Sequence, residues 1–243
     1  MRSLQKADIG KKIKLYSDGA DRTSLMEMNH NPLISGMTTN PSLMKKAGVT
    51  DYAPYCKEIL TQIKEKPISF EVFADDASEM RRQALEIATW GNNVYVKIPV
   101  MNTKGATTLE LVRELSQKGI KLNITAIFTA EQSWQTCQAL KGGAPSIVSL
   151  FAGRIADSGH DPLPFVHASK AACDWAGPSV ELLWASTREV YNIYQAMEAG
   201  CHIITSPPDV IKKLSGLGKT PYELSLETIR TFKSDSDSAG FKL

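Results

Sequence analysis

The chain has 243 residues, 42% apolar and 22% charged, with 28 lysines and arginines against 26 aspartates and glutamates, a formal net charge of +2. That composition excludes a disordered chain, and the near-neutral balance leaves no electrostatic footprint for nucleic acid. No run reaches the roughly 20 apolar residues that a bilayer crossing needs, and the basic stretch Met1 to Tyr16 has no apolar segment behind it. Neither a membrane partner nor a secretory leader is therefore expected. Cys56, Cys137, Cys173 and Cys201 fit no zinc spacing and no CxxC pair, so they read as packed, reduced thiols of a cytoplasmic protein. The histidines are scattered, with His30 and His160 in polar turns and His202 opening an apolar run, so no metal site is expected.

In chain order, short apolar runs alternate with longer segments of helical period. The runs are Ile13–Asp18, Gly36–Thr38, Ile68–Val72, Val94–Ile98, Leu122–Thr125, Ile147–Phe151, Val180–Trp184 and His202–Thr205. Asn40-Pro41 and Ser206-Pro207 each place a capping residue before a proline at a helix start. Asp76 to Glu79, Thr129 to Gln132 and Ser186 to Glu189 fit a capping-box pattern. Met80, Ala84, Ile87 and Ala88 trace one helical face, as do Val210, Ile211 and Leu214. Eight βα units in a chain of about 250 residues predict an α/β fold, a (β/α)8 TIM barrel as one domain over residues 1–243. An additional C-terminal helix is expected at Leu224 to Lys233, within a C-terminal segment from about residue 220. Ser234 to Leu243 reads as a polar, loose tail.

Function in such a barrel sits at the C-terminal ends of the strands. Side chains there alternate between lumen and helices, so parity is a test. Val94, Val96 and Ile98 share one parity; Tyr95 and Lys97 share the other and are expected in the lumen, with Pro99 at the strand end. A lysine inside a packed barrel is costly unless paired or used. Asp18 closes its run, Glu71 lies one residue before the end of its own, Asn123 and Thr125 share a parity, and so do Ser149 and Phe151. Each has a bland alternative. Lys97 is able to snorkel out or sit in an ion pair, and Asp18 to cap the next helix or pair with Lys97. Asn40 is able to serve as an N-cap alone, and Thr125 as a barrel-layer residue. Taken together they suit carbonyl chemistry. A lysine amine attacks a carbonyl only when neutral, a state that desolvation favours. Two carboxylates in different surroundings then move protons on and off hydroxyls and water.

A basic constellation follows. Ser149 to Arg154 leads from a strand into a glycine-containing loop, and Trp184 to Arg188 leads from the next strand to an expected helix start. Free helix N–H groups, the Ser186 hydroxyl, Arg154 and Arg188 together suit a phosphate.

Thr38-Thr39-Asn40-Pro41-Ser42-Leu43 resembles the signature of the transaldolase family. Val96-Lys97-Ile98-Pro99 resembles its Schiff-base strand, Asn123-Ile124-Thr125 its N-x-T strand, and Phe151-x-Gly-Arg154 and Ala185-Ser186-x-Arg188 its phosphate segments. The similarity runs in order from about residue 13 to residue 214. Length and spacing look like the compact subgroup that also contains fructose-6-phosphate aldolases. The resemblance implies a class I enzyme without metal or cofactor that transfers a dihydroxyacetone unit between sugar phosphates. The donor is fructose 6-phosphate or sedoheptulose 7-phosphate, and the acceptor is erythrose 4-phosphate or glyceraldehyde 3-phosphate. By the same resemblance Lys97 forms the imine, Asp18 takes the C4 hydroxyl proton, and Glu71 moves protons through a water that Thr125 orients. Thr38, Asn40, Asn123, Ser149 and Phe151 surround the three-carbon unit, and Arg154, Ser186 and Arg188 hold the phosphate. A homo-oligomer is also implied, a pentamer or a decamer built from pentamer rings, with the segment after Leu224 as a contact element.

The rival enzyme reading is a fructose-6-phosphate aldolase that releases free dihydroxyacetone. Those aldolases carry Gln where Glu71 stands and Tyr where Phe151 stands, and lack the Asn123 counterpart; this chain has the transaldolase form at all three. A Tyr hydroxyl helps position water and release the free ketone, and Phe151 has none. Leu150, Thr187 and Lys104 depart from the family's usual residues and bear on acceptor preference. A non-catalytic sugar-phosphate-binding barrel, with Lys97 as a structural ion pair, is the reading from another class.

Overall fold

The computed structural model describes residues 5–242. The first four residues of the basic N-terminal stretch and Leu243 of the expected tail lie outside the described residues. Strands β1 (Lys14–Asp18), β2 (Ile34–Thr38), β3 (Ile68–Glu71), β4 (Val94–Pro99), β5 (Leu122–Ile127), β6 (Ser146–Leu150), β7 (Val180–Trp184) and β8 (Ile203–Ser206) pair in parallel and in chain order. The sheet closes where β1 meets β8, with Lys14 opposite Ile203 and Ser17 opposite Ser206. The second run, the shortest in the sequence reading, is a full strand that starts two residues earlier, at Ile34.

Helices α1 (Arg22–His30), α2 (Pro41–Lys46), α3 (Tyr52–Gln62), α4 (Ala77–Ala88), α5 (Leu109–Gln117), α6 (Ala130–Leu140), α7 (Ala152–Asp157), α8 (Leu163–Ala176), α9 (Tyr191–Glu198), α10 (Pro208–Lys212) and α11 (Pro221–Ala239) complete the chain. Their local causes are visible. Asp21 caps α1 by accepting from the Ser24 N–H, so Asp18 is left for the lumen. Asn40 caps α2, with Pro41 preset at the first helical position. Asp76 caps α4, and Thr129 with Gln132 forms a full capping box on α6.

Strand parity divides the interior. Leu15, Phe70, Val96, Ile98, Ile124, Val148, Trp184 and Ile204 face the helices in one large core. Tyr16, Ile147, Leu183, Ala185 and Ile203 pack with Tyr95 and Phe151 in a second, smaller cluster that fills the lumen. Gly36 makes room for that filling: a Cβ there would sit 2.5 Å from the Tyr16 ring. All four cysteines are free and buried. No helix among the described residues is long and apolar enough to cross a membrane.

Three expectations are corrected. Ser186 caps no helix: it has a positive φ of 67°, and α9 begins at Tyr191. The turn before α9 is held instead by Asn192 Oδ1, which accepts from the Arg188 and Glu189 N–H groups. Ser206 is the last residue of β8, and α10 starts at Pro208. Pro207 precedes another proline, which disfavours helical φ/ψ at Pro207 and moves the start on by one. The C-terminal helix spans Pro221 to Ala239, not Leu224 to Lys233. A Thr220–Glu223 capping box opens it, a Lys233–Asp237 ion pair braces the serine-rich turns, and Gly240 in the left-handed region ends it.

Candidate active site

A cavity of about 290 Å³ opens at the C-terminal ends of the strands. Asp18, Thr38, Asn40, Lys97, Thr125, Ser149, Phe151, Arg154, Ser186 and Arg188 all line it. They come from β1, β2, β4, β5 and β6, from α7 and from the loops beyond the strands, so the barrel collects residues far apart in the chain. Glu71 and Asn123 do not line it; each stands behind a residue that does.

Lys97 is 6% exposed. Its Nζ lies 3.0 Å from Glu71 Oε2 and donates to the Thr39 carbonyl at 2.9 Å. β4 supplies the direction of the side chain, and β3 sets Glu71 directly opposite Lys97 in register. The ion pair anticipated as an alternative for Lys97 is therefore present, inside the cavity wall and not at the surface.

Asp18 accepts from the Thr38 hydroxyl at 2.7 Å. Thr38 Oγ1 also lies 2.6 Å from Thr205 Oγ1. A hydroxyl has one proton, so with Thr38 donating to the carboxylate, Thr205 donates to Thr38. Burial pushes the Asp18 carboxyl above its ordinary value, and the Lys97 charge and the Thr38 bond oppose that rise. Thr205 also lines the cavity, and its carbonyl accepts from the Thr187 hydroxyl. Neither Thr205 nor Thr187 was singled out as a site residue by its spacing.

On the facing wall, Ser149 donates to Asn123 Oδ1 at 2.6 Å, and Asn123 Nδ2 donates to Ser69 Oγ at 3.0 Å. Asn123 is fully buried, so it reaches the cavity through Ser149. The Thr125 hydroxyl is buried, lines the cavity and has no hydrogen-bond partner among the described residues. A buried hydroxyl without a partner is uncommon and calls for an explanation. Asn40 lines the cavity while its Oδ1 caps α2 by accepting from the Leu43 N–H. Phe151 is the residue before α7, and its ring lies 5.4 Å from that of Phe128.

The rim is basic. Arg154 is exposed in α7, and Arg188 makes a two-pronged ion pair with Asp157 at the end of the same helix. The loops meet closely here: the Gly153 N–H donates to the Ala185 carbonyl at 3.3 Å. A Cβ on Gly153 would fall 1.6 Å from the Ser186 carbonyl oxygen. Gly→Ala within a helix ordinarily stabilises by roughly 0.5–1 kcal/mol. Gly153→Ala is expected to reverse that sign and lower the melting temperature, which thermal unfolding checks.

A closed (β/α)8 barrel with a buried lysine, two carboxylates and hydroxyls at its strand ends, under an arginine rim, is a barrel enzyme's layout. Residues 15–243 match the family described as Transaldolase/Fructose-6-phosphate aldolase. A protein of Thermoanaerobacter sp. (strain X514) named probable transaldolase is 37% identical over 231 residues, covering 95% of this chain and all of that one. A Methanococcus maripaludis protein of the same name is 38% identical over 202 residues, 83% of this chain and 89% of its own. Dihydrodipicolinate synthase from Rhodopseudomonas palustris shares the fold at 14% identity and a TM-score of 0.52, over 80% of this chain and 69% of that one. The chain belongs to the transaldolase/fructose-6-phosphate aldolase family, and it is an enzyme of transaldolase type.

Proposed function

We propose that the enzyme carries a dihydroxyacetone unit from a ketose phosphate, fructose 6-phosphate or sedoheptulose 7-phosphate, to glyceraldehyde 3-phosphate or erythrose 4-phosphate, through an imine on Lys97. The observation that carries this reading is the buried Lys97 amine, held by Glu71 and the Thr39 carbonyl at the wall of a cavity that Asp18 and Thr125 also line. Lys97 Nζ attacks the ketose C2 carbonyl, and the resulting carbinolamine loses water to give the iminium. Glu71 moves the protons of this step through a water held by the Thr125 hydroxyl. Asp18 takes the C4 hydroxyl proton, the C3–C4 bond breaks, and its electrons pass to the iminium as an enamine. The aldose phosphate leaves, and the enamine carbon then attacks the acceptor aldehyde while Asp18 returns the proton. Water releases the new ketose from Lys97. Thr38, Asn40 and Ser149 bind the hydroxyls of the three-carbon unit, with Asn123 orienting Ser149.

Transfer is favoured over release by the wall at Phe151. Its ring packs on Phe128, so no hydroxyl stands there to bring water to the enamine. This role places the enzyme in the non-oxidative pentose phosphate pathway of the cytoplasm. A homo-oligomer is supported by α11, which buries none of its residues and leaves Tyr222, Leu224, Ile229 and Phe232 exposed; the family resemblance suggests a pentamer or decamer.

The test is fructose 6-phosphate turnover with and without erythrose 4-phosphate, following sedoheptulose 7-phosphate and free dihydroxyacetone together. Sedoheptulose 7-phosphate forming only with acceptor supports the transferase. Acceptor-independent dihydroxyacetone at a comparable rate makes the enzyme an aldolase.

Arg154, Ser186 and Arg188 take the substrate phosphate at the rim. Charge-assisted hydrogen bonds contribute about 1.5–3 kcal/mol each, so Arg154→Ala is expected to raise KM for sugar phosphates by roughly 10- to 100-fold. Its effect on free dihydroxyacetone as donor is expected to be small. Equal effects on both in steady-state kinetics remove Arg154 from the phosphate site.

A further inference from the structure

Ladder hydrogen bonds between β2 and β3 advance in steps of two: the Met37 N–H donates to the Pro67 carbonyl, and the Thr39 N–H to the Ser69 carbonyl. The next step would call on the residue-41 N–H to serve the Glu71 carbonyl. That residue is Pro41, which has no N–H. The acceptor that the same ladder would offer the Glu71 N–H is the Thr39 carbonyl, which accepts from Lys97 Nζ at 2.9 Å while the Glu71 N–H turns elsewhere. Both main-chain groups of Glu71 on its β2 side thus lose their strand partners at the position where the carboxylate has to meet the amine.

One side chain fills both vacancies. The Tyr52 hydroxyl, from the first residue of α3, donates to the Glu71 carbonyl at 2.9 Å and accepts from the Glu71 N–H at 2.9 Å. The phenol is itself held in place: its ring meets Phe73 edge-on at 5.4 Å and lies 6.2 Å from Trp90. A hydroxyl with one proton and free lone pairs can serve both an N–H and a carbonyl, whereas phenylalanine serves neither.

We infer that Tyr52 is a positioning residue for the Glu71–Lys97 pair, its hydroxyl replacing the missing β2 ladder so that the Glu71 main chain, and with it the carboxylate, is fixed against the amine. The inference rests on the proposed use of Glu71 as a proton carrier. Tyr52 lies outside the cavity and touches no substrate, so its loss acts on the rate of the Glu71-dependent step and not on sugar-phosphate binding.

The test is a double-mutant cycle between Tyr52→Phe and Glu71→Gln, read as kcat and KM for fructose 6-phosphate with erythrose 4-phosphate, with melting temperatures alongside. Small displacements of a catalytic group cost up to about 100-fold in rate. Tyr52→Phe is expected to lower kcat by roughly 10- to 100-fold, with KM within about twofold of the parent. In the Glu71→Gln background the same change is expected to have little further effect on kcat, because the carboxylate it positions is gone. Phe73→Leu loosens the same aromatic cluster without touching the Glu71 main chain, and is expected to keep parental kcat. Additive losses in the cycle overturn the inference, as does a Phe73→Leu variant as slow as Tyr52→Phe. A Tyr52→Phe enzyme with parental kcat, or one that fails to fold, overturns it while leaving the Glu71 reading intact. A Glu71→Gln enzyme with parental kcat instead overturns the proton-carrier reading, and this inference with it.

Discussion

Lys97→Met is expected to end borohydride trapping of fructose 6-phosphate on the protein and to cut turnover by on the order of 10⁴-fold or more, because no other lysine among the described residues lines the cavity. Stability responds separately. The Lys97 amine and the Glu71 carboxylate form one buried pair at 3.0 Å. Removing one partner of such a pair costs about 3–5 kcal/mol, whereas replacing both with neutral groups is often close to neutral. Lys97→Met alone is therefore expected to melt lower than Lys97→Met with Glu71→Gln, although both are inactive. Trapping followed by intact-mass measurement, beside thermal unfolding of the two variants, reads both effects. A trapped adduct on the Lys97→Met protein would move the imine to another amine and remove the central step of the proposed mechanism.

The lumen side of this site was legible in the sequence because a strand has a period of two. Once Val94, Val96 and Ile98 are read as the helix-facing set, Lys97 has one direction left, and the same logic orients Asp18, Glu71, Thr125 and Ser149. The cavity brings Asp18, Lys97, Thr125 and Ser149 together and sets Glu71 behind Lys97. What parity does not reach is whether a lumen residue is open to the cavity or sealed behind a neighbour. Asn123 has the right parity but is closed off by Ser149 and Ser69, which only the packing of three strands reveals. The Ser186 expectation failed for a tertiary reason. Gly153, from the preceding βα unit, abuts its carbonyl, and the local chain takes a positive φ where the capping pattern called for a helix start. Composition misled at the C-terminus: serines and aspartates after Lys233 look loose, yet the Lys233–Asp237 pairing continues the helix to Gly240. Tyr52 and Thr205 carried no signal of their own. Each matters through the partner it touches, the Glu71 main chain for one and the Thr38 hydroxyl for the other.

Asp18→Asn is expected to trade catalysis for stability. As the base for the C4 hydroxyl, Asp18 has to be ionised, and losing a positioned general base costs about 10²- to 10⁴-fold. The imine forms before the base acts, so the variant is still expected to trap fructose 6-phosphate with borohydride while releasing almost no aldose phosphate. The sign for stability follows from burial, which raises the Asp18 carboxyl above its ordinary value against the pull of Lys97 and the Thr38 bond. A folded state that holds this proton more tightly than the unfolded chain gains stability below the unfolded value of about 3.9 and loses it as pH rises through the folded value. With its carboxyl raised above the ordinary value, Asp18 is therefore a net cost to the fold at neutral pH, which asparagine removes while still accepting from Thr38. The variant is expected to melt higher than the parent at pH 7, by roughly 2–4 °C for each 1 kcal/mol regained in a chain of this size. The gap is expected to close as pH falls towards the ordinary carboxylate range, where Asp18 is protonated in both states. Melting curves of the two proteins across that range, with trapping and aldose phosphate release at pH 7, test both halves. A variant that melts no higher at pH 7 would mean that Lys97 and Thr38 outweigh burial at Asp18. One that still cleaves at the parental rate would take the C4 proton away from Asp18.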